Sequence, residues 1–364
     1  MTEIRPFQEE FCDDAAALHM RAMRGQSRTP SPALARYFRE VLLENPWAVP
    51  EIPSLVCLEN GKLIGMLGVI PRPLEFRGEN ITAATLTQFM VDPSHRRGGA
   101  AVQLLRRCFQ GPQEMSWADG AAEPVHLLHK ALGGQPANFY SLHWMRILRP
   151  FGTVRDALSR RPAAPRILHA LAAAAAPPGD FLAARLPVFR PLRPAGSWQA
   201  AAPDELFECI AEIGWREPLR PRYEIDSFRW LLAQMNRARS LGEVRTIIVK
   251  DSAGLRCGWL VYFAKRGGTA YLMQLGTRRA DHFETVFRAL LADAWDQGCV
   301  VAKGTARPEQ LTTVTKNYCV FRHAESSALI HSRNTDLLRT VRLGEAALSG
   351  LDGERWQLFA PESW

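Results

Sequence analysis

With 364 residues, 47% of them apolar and 23% charged, the chain is long enough for two domains with full cores, which excludes a disordered or fibrous protein. Its formal net charge of +8 suits an anionic ligand, but the arginines that carry most of it are spread along the chain, so nucleic acid is not favoured as a partner. Seven cysteines without a Cys-x-x-Cys pair read as reduced core thiols, nine scattered histidines lack metal-ligand spacing, and no stretch reaches the roughly 20 apolar residues of a spanning helix. A cytoplasmic chain with no metal, no signal core and no membrane span is therefore expected.

In chain order, Ile4 to Phe7 reads as an edge strand. Glu9 to Met23 is predicted helical from the apolar face of Phe11, Ala15, Leu18 and Ala22. A second helix starts at Ser31-Pro32, where serine caps and proline fills the first turn. Ser54 to Glu59 and Leu63 to Phe76 read as strands joined by an Asn60-Gly61 hairpin turn. Pro71 and Pro73 place the second of them at an edge or in a splay. The turn Arg77 to Asn80 leads into a strand from Ile81 to Val91. The sequence Asp92-Pro93-Ser94-His95-Arg96-Arg97-Gly98-Gly99-Ala100-Ala101 then opens a helix that runs to about Phe109. A short strand from Met115, a helix through Val125 to Leu132, and a strand within Phe139 to Leu148 complete the predicted first sheet.

Arg149 to Pro194 is rich in proline, alanine and arginine and reads as a connector with one or two short helices. Its longest apolar run, Ile167 to Ala176, is expected to end at Pro177-Pro178. Packing between domains is the simpler account of its apolar faces, and lining a lipid or acyl groove is the alternative. From Trp198 the order of elements repeats. Long strand, glycine turn, strand, arginine-rich loop and helix occur over Leu63 to Phe109 and again over Leu255 to Asp293. The expected boundaries are a first domain at 1–150, a connector at 151–196 and a second domain at 197–364.

The chemistry is concentrated in Arg96-Arg97-Gly98-Gly99-Ala100-Ala101, set between a strand and a helix. A glycine turn at a helix start points successive backbone N–H groups at one spot, and the helix dipole adds positive charge there. That suits a pyrophosphate, with Arg96 and Arg97 free for a further phosphate. The preceding strand follows a hairpin rather than a βαβ unit, which argues against a dinucleotide fold, and no Gly-Lys-Ser/Thr follows.

In these residues the sequence resembles the GNAT acyltransferase superfamily, over Ile4 to about Phe151 and more faintly over Trp198 to about Ile330. The resemblance implies an α/β (α+β) architecture of two GNAT-like domains, each a mixed, mostly antiparallel sheet flanked by helices. It implies an acetyl-CoA or other acyl-CoA co-substrate. Phe89, Met90 and Val91 would pair with the pantetheine arm, and Arg96, Arg97, Gly98, Gly99, Ala100 and Ala101 would hold the pyrophosphate. It also implies that the thioester lies in a V-shaped opening beside the strand. His129 falls where the family's acidic tyrosine would sit, and a helix-end histidine is the structural alternative. Asp119 is the nearest carboxylate by expected topology, a candidate base or else a helix cap. Tyr140 is a further catalytic candidate, or plain core. The C-terminal copy reads Gly276-Thr277-Arg278-Arg279-Ala280-Asp281-His282 at the matching turn and is expected to bind no coenzyme. Trp215, Tyr223, Trp230 and Trp259 are candidates for an acceptor groove, with core packing the default.

The activity so implied is N-acyl transfer, in the first place acetyl transfer, to a small-molecule or peptide amine by direct attack in a ternary complex. The alternatives are a Fem-type aminoacyl or peptidyl transferase and a non-catalytic acyl-CoA sensor or scaffold. A homodimer is left open.

Overall fold

The computed structural model describes residues 2–26, 29–161, 163–323, 327–357 and 359. Its strands are β1 (Thr2–Pro6), β2 (Leu55–Glu59), β3 (Lys62–Phe76), β4 (Glu79–Val91), β5 (Met115–Ala121), β6 (Gln135–Pro136), β7 (Leu142–Ile147), β8 (Ser197–Ala200), β9 (Leu219–Pro221), β10 (Glu243–Lys250), β11 (Arg256–Ala264), β12 (Thr269–Thr277), β13 (Val301–Thr305), β14 (Val320–His323) and β15 (Ser327–Ser332). They form two mixed sheets. One has the order β1-β2-β3-β4-β5-β15-β6, with β9 added on β3, and the other β14-β7-β13-β12-β11-β10-β8. Among these strands only β4–β5 and β12–β13 are parallel neighbours; the rest are antiparallel, as the predicted fold class requires.

The sheets belong to two compact units, which are not the consecutive blocks 1–150, 151–196 and 197–364. The first comprises Met1–Asn138, Glu217–Trp230 and Glu325–Trp364, and the second Phe139–Arg216 and Leu231–Ala324. An exchange of strands explains the difference. β7, expected to finish the first sheet, lies between β14 and β13 in the second. The place beside β5 is taken by β15 from the far end of the sequence. Apolar demand decides both positions: Ala328, Leu329 and Ile330 are buried in the first unit, and Trp144 of β7 is buried in the second core with Leu272 and Phe287.

In the first unit the helices α1 (Cys12–Arg24), α2 (Pro32–Leu42), α3 (Ala100–Phe109) and α4 (Glu123–Ala131) flank the sheet. Ser31 caps α2 as predicted, its Oγ accepting the Ala33 N–H at 3.2 Å. Asn60 and Gly61 both have positive φ, the geometry of a tight hairpin turn. β3 is an interior strand, yet its prolines sit where it is locally an edge. β2 pairs with it only through Lys62–Leu67 and β9 only through Leu74–Phe76. The Val69 N–H bonds to Ser54 on the β2 side, so alternation points the N atoms of Pro71 and Pro73 to that same side, where no strand runs. The core beneath combines Leu55, Ile64, Leu86, Leu104 and Phe109 with Leu329 from β15.

In the second unit a short α5 (Asn138–Ser141) leads into β7, and α6 (Pro150–Ser159) and α7 (Arg166–Ala183) follow. The expected connector is thus a helical hairpin, and α7 continues 18 residues through Pro177 and Pro178 rather than stopping at them. The two prolines remove helix N–H donors. Packing on α6 compensates: Asp180 accepts the Phe151 and Gly152 N–H groups at the start of α6, each at 2.9 Å. The remaining helices are α8 (Pro203–Ile213), α9 (Ile225–Asn236), whose residues through Trp230 belong to the first unit, α10 (Phe283–Asp296), α11 (Leu311–Lys316) and, in the first unit, α12 (Thr335–Arg342). No helix among the described residues is long and apolar enough to cross a membrane.

Candidate active site

β4 and β5 are paired only from Ala83–Thr85 to Met115–Trp117. Beyond that point they diverge, so Leu86–Val91 and Ala118–Ala121 border a V-shaped opening, as the sequence implied. β4 is bulged there. Gly68 faces Thr87 and Met66 faces Met90, which sets both Gln88 and Phe89 opposite Leu67. Gln88 has φ +46°, a strained value for a side-chain-bearing residue. His19 secures it. Arg24 Nε donates to His19 Nε2 at 3.3 Å, which leaves the proton on Nδ1 to donate to Gln88 Oε1 at 2.8 Å. Burial, with the Arg24 charge adding to it, lowers the His19 imidazole to about 4, so the ring is neutral near pH 7.

The turn after β4 begins with Asp92, whose carboxylate accepts from the Ser94 N–H at 3.1 Å, the Ser94 hydroxyl at 2.6 Å and Arg21 Nε at 3.0 Å. Partial burial opposes ionisation, but these bonds outweigh it and hold Asp92 down at about 2. The Gly98 N–H closes the turn on the His95 carbonyl, and Gly99 follows in the left-handed region at φ +81°. Glycine meets that requirement without strain. No side chain caps α3, and its first intrahelical bond runs from the Gln103 N–H to the Gly99 carbonyl. The N–H groups of Ala100 and Ala101 therefore face outward with the positive end of the dipole. Nothing lies within 4 Å of where a Gly99 Cβ would be, and Arg96 and Arg97 are exposed beside it. The turn fits a pyrophosphate. Phe89 and Val91 are half-buried along the opening and Met90 is buried.

On the other side of the opening, Asp119 is 4% exposed. It does not cap α4, whose N-cap residue is Ala122 without a side-chain bond. Instead its Oδ1 accepts the Glu354 N–H at 2.9 Å, and Arg355 Nε lies 3.3 Å from its Oδ2. The Glu354 carboxyl occupies the space a side chain at Gly120 would need. It also contacts the Thr87 hydroxyl and the Gln88 main chain, at the bulge. Burial, reinforced by the neighbouring Asp119, pushes Glu354 up to about 7. Burial likewise raises Asp119, against the pull of Arg355. Two carboxyls this close titrate as a pair and hold a proton between them near neutrality.

The C-terminal segment is firmly seated. Asp352 lies 3.6 Å from Arg72, with both side chains buried, and accepts from the Tyr223 hydroxyl at 3.1 Å and from the Ser349 N–H at 2.9 Å. The Thr85 hydroxyl donates to the Asp352 carbonyl at 2.8 Å, and the Thr87 hydroxyl to Gln357 Oε1 at 2.7 Å. The Arg72 guanidinium stacks on Trp47, and Trp230 packs against both Trp47 and Trp356.

The remaining predicted residues lie elsewhere. His129 is 1% exposed, with its ring against Phe109, the last residue of α3, and near His331. His331 pairs with Ser116, so this is the closed end of the β4–β5 pair, and the structure does not bring His129 to the opening. The reason is the direction of α4: it starts at the open end and has run back along the sheet by residue 129. Neither ring nitrogen has a hydrogen-bond partner among the described residues, and burial lowers the imidazole to about 4. Tyr140 is buried and belongs to the second unit, whereas the turn belongs to the first. Trp215 and Trp259 pack edge to face in the second unit, while Tyr223 and Trp230 pack in the first. Glu354, Arg355, Gln88 and His19 were not singled out from the sequence. The signal available was a lone acidic pair with glycine, Asp352-Gly353-Glu354, outside any periodic element.

Comparison with known proteins agrees with this geometry. Residues 3–116 match the family model described as acetyltransferase (GNAT) domain. No curated protein sequence matches the chain. Similar solved structures include a protein of Enterococcus faecalis V583 described as a probable N-acyltransferase, at 11% identity and TM-score 0.59 over 94% of this chain and 73% of that one. A GCN5-related N-acetyltransferase of Anabaena variabilis ATCC 29413 is similar at 12% identity and TM-score 0.57 over 92% and 74%. The N-myristoyltransferase of Saccharomyces cerevisiae with bound myristoyl-CoA is similar at 11% identity and TM-score 0.51 over 90% and 79%. At such identities the likeness is one of fold. Family match, sheet topology and glycine turn converge: residues 3–116 match a GNAT acetyltransferase domain, and the chain shares the fold of these solved N-acyltransferases.

Proposed function

We propose that the first unit transfers an acyl group from acyl-CoA to an amine. The observation that carries this reading is the adjacency of an uncapped glycine turn, suited to pyrophosphate, and a strand opening bordered by a buried carboxyl pair. The backbone N–H groups at Gly99 to Ala101, with Arg96 and Arg97, bind the phosphates. Phe89 to Val91 present main-chain groups to the pantetheine amides. The bulge sets Gln88 and Phe89 opposite one residue; the Gln88 N–H goes to Glu354, and the Phe89 N–H is assigned to the thioester carbonyl, which it polarises.

The amine nitrogen attacks the thioester carbon. The C–N bond forms, the C–S bond breaks, the nitrogen releases its second proton to solvent, and the thiolate takes one from solvent. The attacking ammonium must first lose a proton, and the Glu354–Asp119 pair receives it, Glu354 as acceptor and Asp119 as the neighbour that raises its basicity. An affinity near 7 suits a general base working at neutral pH. The acyl group is proposed to be acetyl, in keeping with the acetyltransferase description of the matched family model; the yeast neighbour, by contrast, is described with bound myristoyl-CoA.

The test is Glu354→Gln, assayed with an amine panel and acetyl-CoA. Turnover should fall by roughly 100- to 10,000-fold with the coenzyme Kd unchanged. The rise of wild-type kcat/KM through pH 7 should disappear in the variant. Normal turnover in both Glu354→Gln and Asp119→Asn would overturn the assignment of the base.

A further inference from the structure

The α6–α7 hairpin of the second unit is built inside out. On α7, Ala176, Gly179, Asp180 and Ala183 lie on the inward face, where Asp180 bonds the start of α6. At helical spacing the opposite face carries Ile167, Leu171, Phe181 and Leu182, which are 68%, 60%, 70% and 57% exposed. The chain that follows adds exposed Leu186, Val188 and Leu192. A helix packed on its own domain buries its large apolar residues; this one buries its small ones.

The same stretch carries most of the protein's charge. Residues 149–194 contain eight arginines against two aspartates, a formal +6 of the chain's +8. The arginines are spread along the chain, but here the acids that balance them elsewhere are missing. Both aspartates are already engaged, Asp156 with Arg160 and Asp180 with the α6 N–H groups. Between the hairpin and the β12–β13 side of the unit lies a cavity of about 470 Å³ walled by Arg149, Arg155, Arg266, Phe181 and Trp295. Arg149 is committed to the Cys299 and Trp295 carbonyls, whereas Arg155 and Arg266 have no carboxylate partner among the described residues.

We infer that this face docks on an anionic lipid surface. Ile167, Leu171, Phe181 and Leu182 enter the headgroup–acyl boundary, the surrounding arginines meet lipid phosphates, and the cavity seats one headgroup on Arg155 and Arg266. A second copy of the chain is the less suitable occupant, because a twofold contact would set +6 against +6. The inference does not depend on the acyl-transfer reading.

The test is flotation of the purified full chain with vesicles of phosphatidylcholine alone or with about one third phosphatidylglycerol. The chain should favour the anionic vesicles by at least about tenfold, and less so at high salt. Leu171→Asp with Phe181→Asp should weaken binding by about tenfold or more. Arg166→Glu with Arg190→Glu should lower it on anionic vesicles alone. Leu255→Asp, at a position 65% exposed before β11, should change nothing. Circular dichroism checks that each variant is folded. The inference fails if the wild type ignores anionic vesicles, or if the Leu171 and Phe181 changes leave binding intact. It fails too if the wild type forms a dimer that those changes dissolve, since the face would then belong to a second copy.

Discussion

Two turns in this molecule follow the same path and have opposite chemistry. After β4 the chain passes through Gly99 in the left-handed region and enters α3 with its first N–H groups free. After β12 it passes through a short helical turn, Ala280–His282, and enters α10 through a right-handed His282. There Asp281 stands in the turn, ion-paired with Arg279. The strands before the turns match as well: β12 pairs with β13 only over Thr269–Tyr271 and is bulged near Met273. The second opening, however, holds the Trp144 indole between Leu272 and Gly304, where the first holds the Asp119–Glu354 pair. Copying a fold does not copy a site. One left-handed residue, one acidic residue and one indole separate the proposed anion cradle from its counterpart in the second unit.

The strongest way to break this comparison is Gly99→Asp. It strains a φ of +81° and sets a carboxylate where the pyrophosphate is proposed to lie. Coenzyme A affinity by calorimetry should drop on the order of 100-fold or more. Unchanged affinity would mean that the first turn is no more an anion site than the second.

The next test separates the two ends of α3. His129→Leu removes a buried imidazole whose nitrogens lack partners and whose proton affinity is lowered to about 4. A depressed histidine favours folding above the unfolded value and loses that contribution as pH falls. The wild type should therefore lose stability between about pH 6.5 and 4, on the order of 3 kcal/mol from this residue. In the leucine variant that part of the pH dependence should flatten, with turnover at pH 7 unchanged. A large loss of turnover without loss of stability would return His129 to the site.

The smallest effect is expected from Asp281→Gly. Removing the acid from the second turn leaves right-handed His282 and Trp144 in place, so coenzyme stoichiometry by native mass spectrometry should stay at one per chain. A second bound coenzyme would show that charge alone separated the turns.

Much of the first unit was legible because its signals are local. Ser31 at a helix start, Asn60-Gly61 between strands, and Gly98-Gly99 after an apolar strand each state their geometry within a few residues. The two-sheet architecture followed from the repeated order of elements. What the sequence did not disclose depends on distant partners. The base candidate Glu354 is shaped by Asp119 and Thr87, far away along the chain, and its segment has no periodicity to read. His129 was placed by sequence overlay on a family pattern, which fixes the helix but not how far it carries the residue from the opening. α7 was cut short because proline is a helix breaker in isolation, while α6 supplies the support that isolation lacks.

The exchange of β7 and β15 has a consequence for synthesis. Trp117 waits for Ile330, so β5 leaves the ribosome about two hundred residues before its neighbour exists. Until then the edge of the first sheet offers unpaired N–H and carbonyl groups, and the opening beside β4 lacks Glu354. The nascent chain thus cannot acquire activity domain by domain. The first sheet closes only after the second unit has been made, and a ribosome that stalls before residue 327 leaves behind a half-sheet with a bare edge.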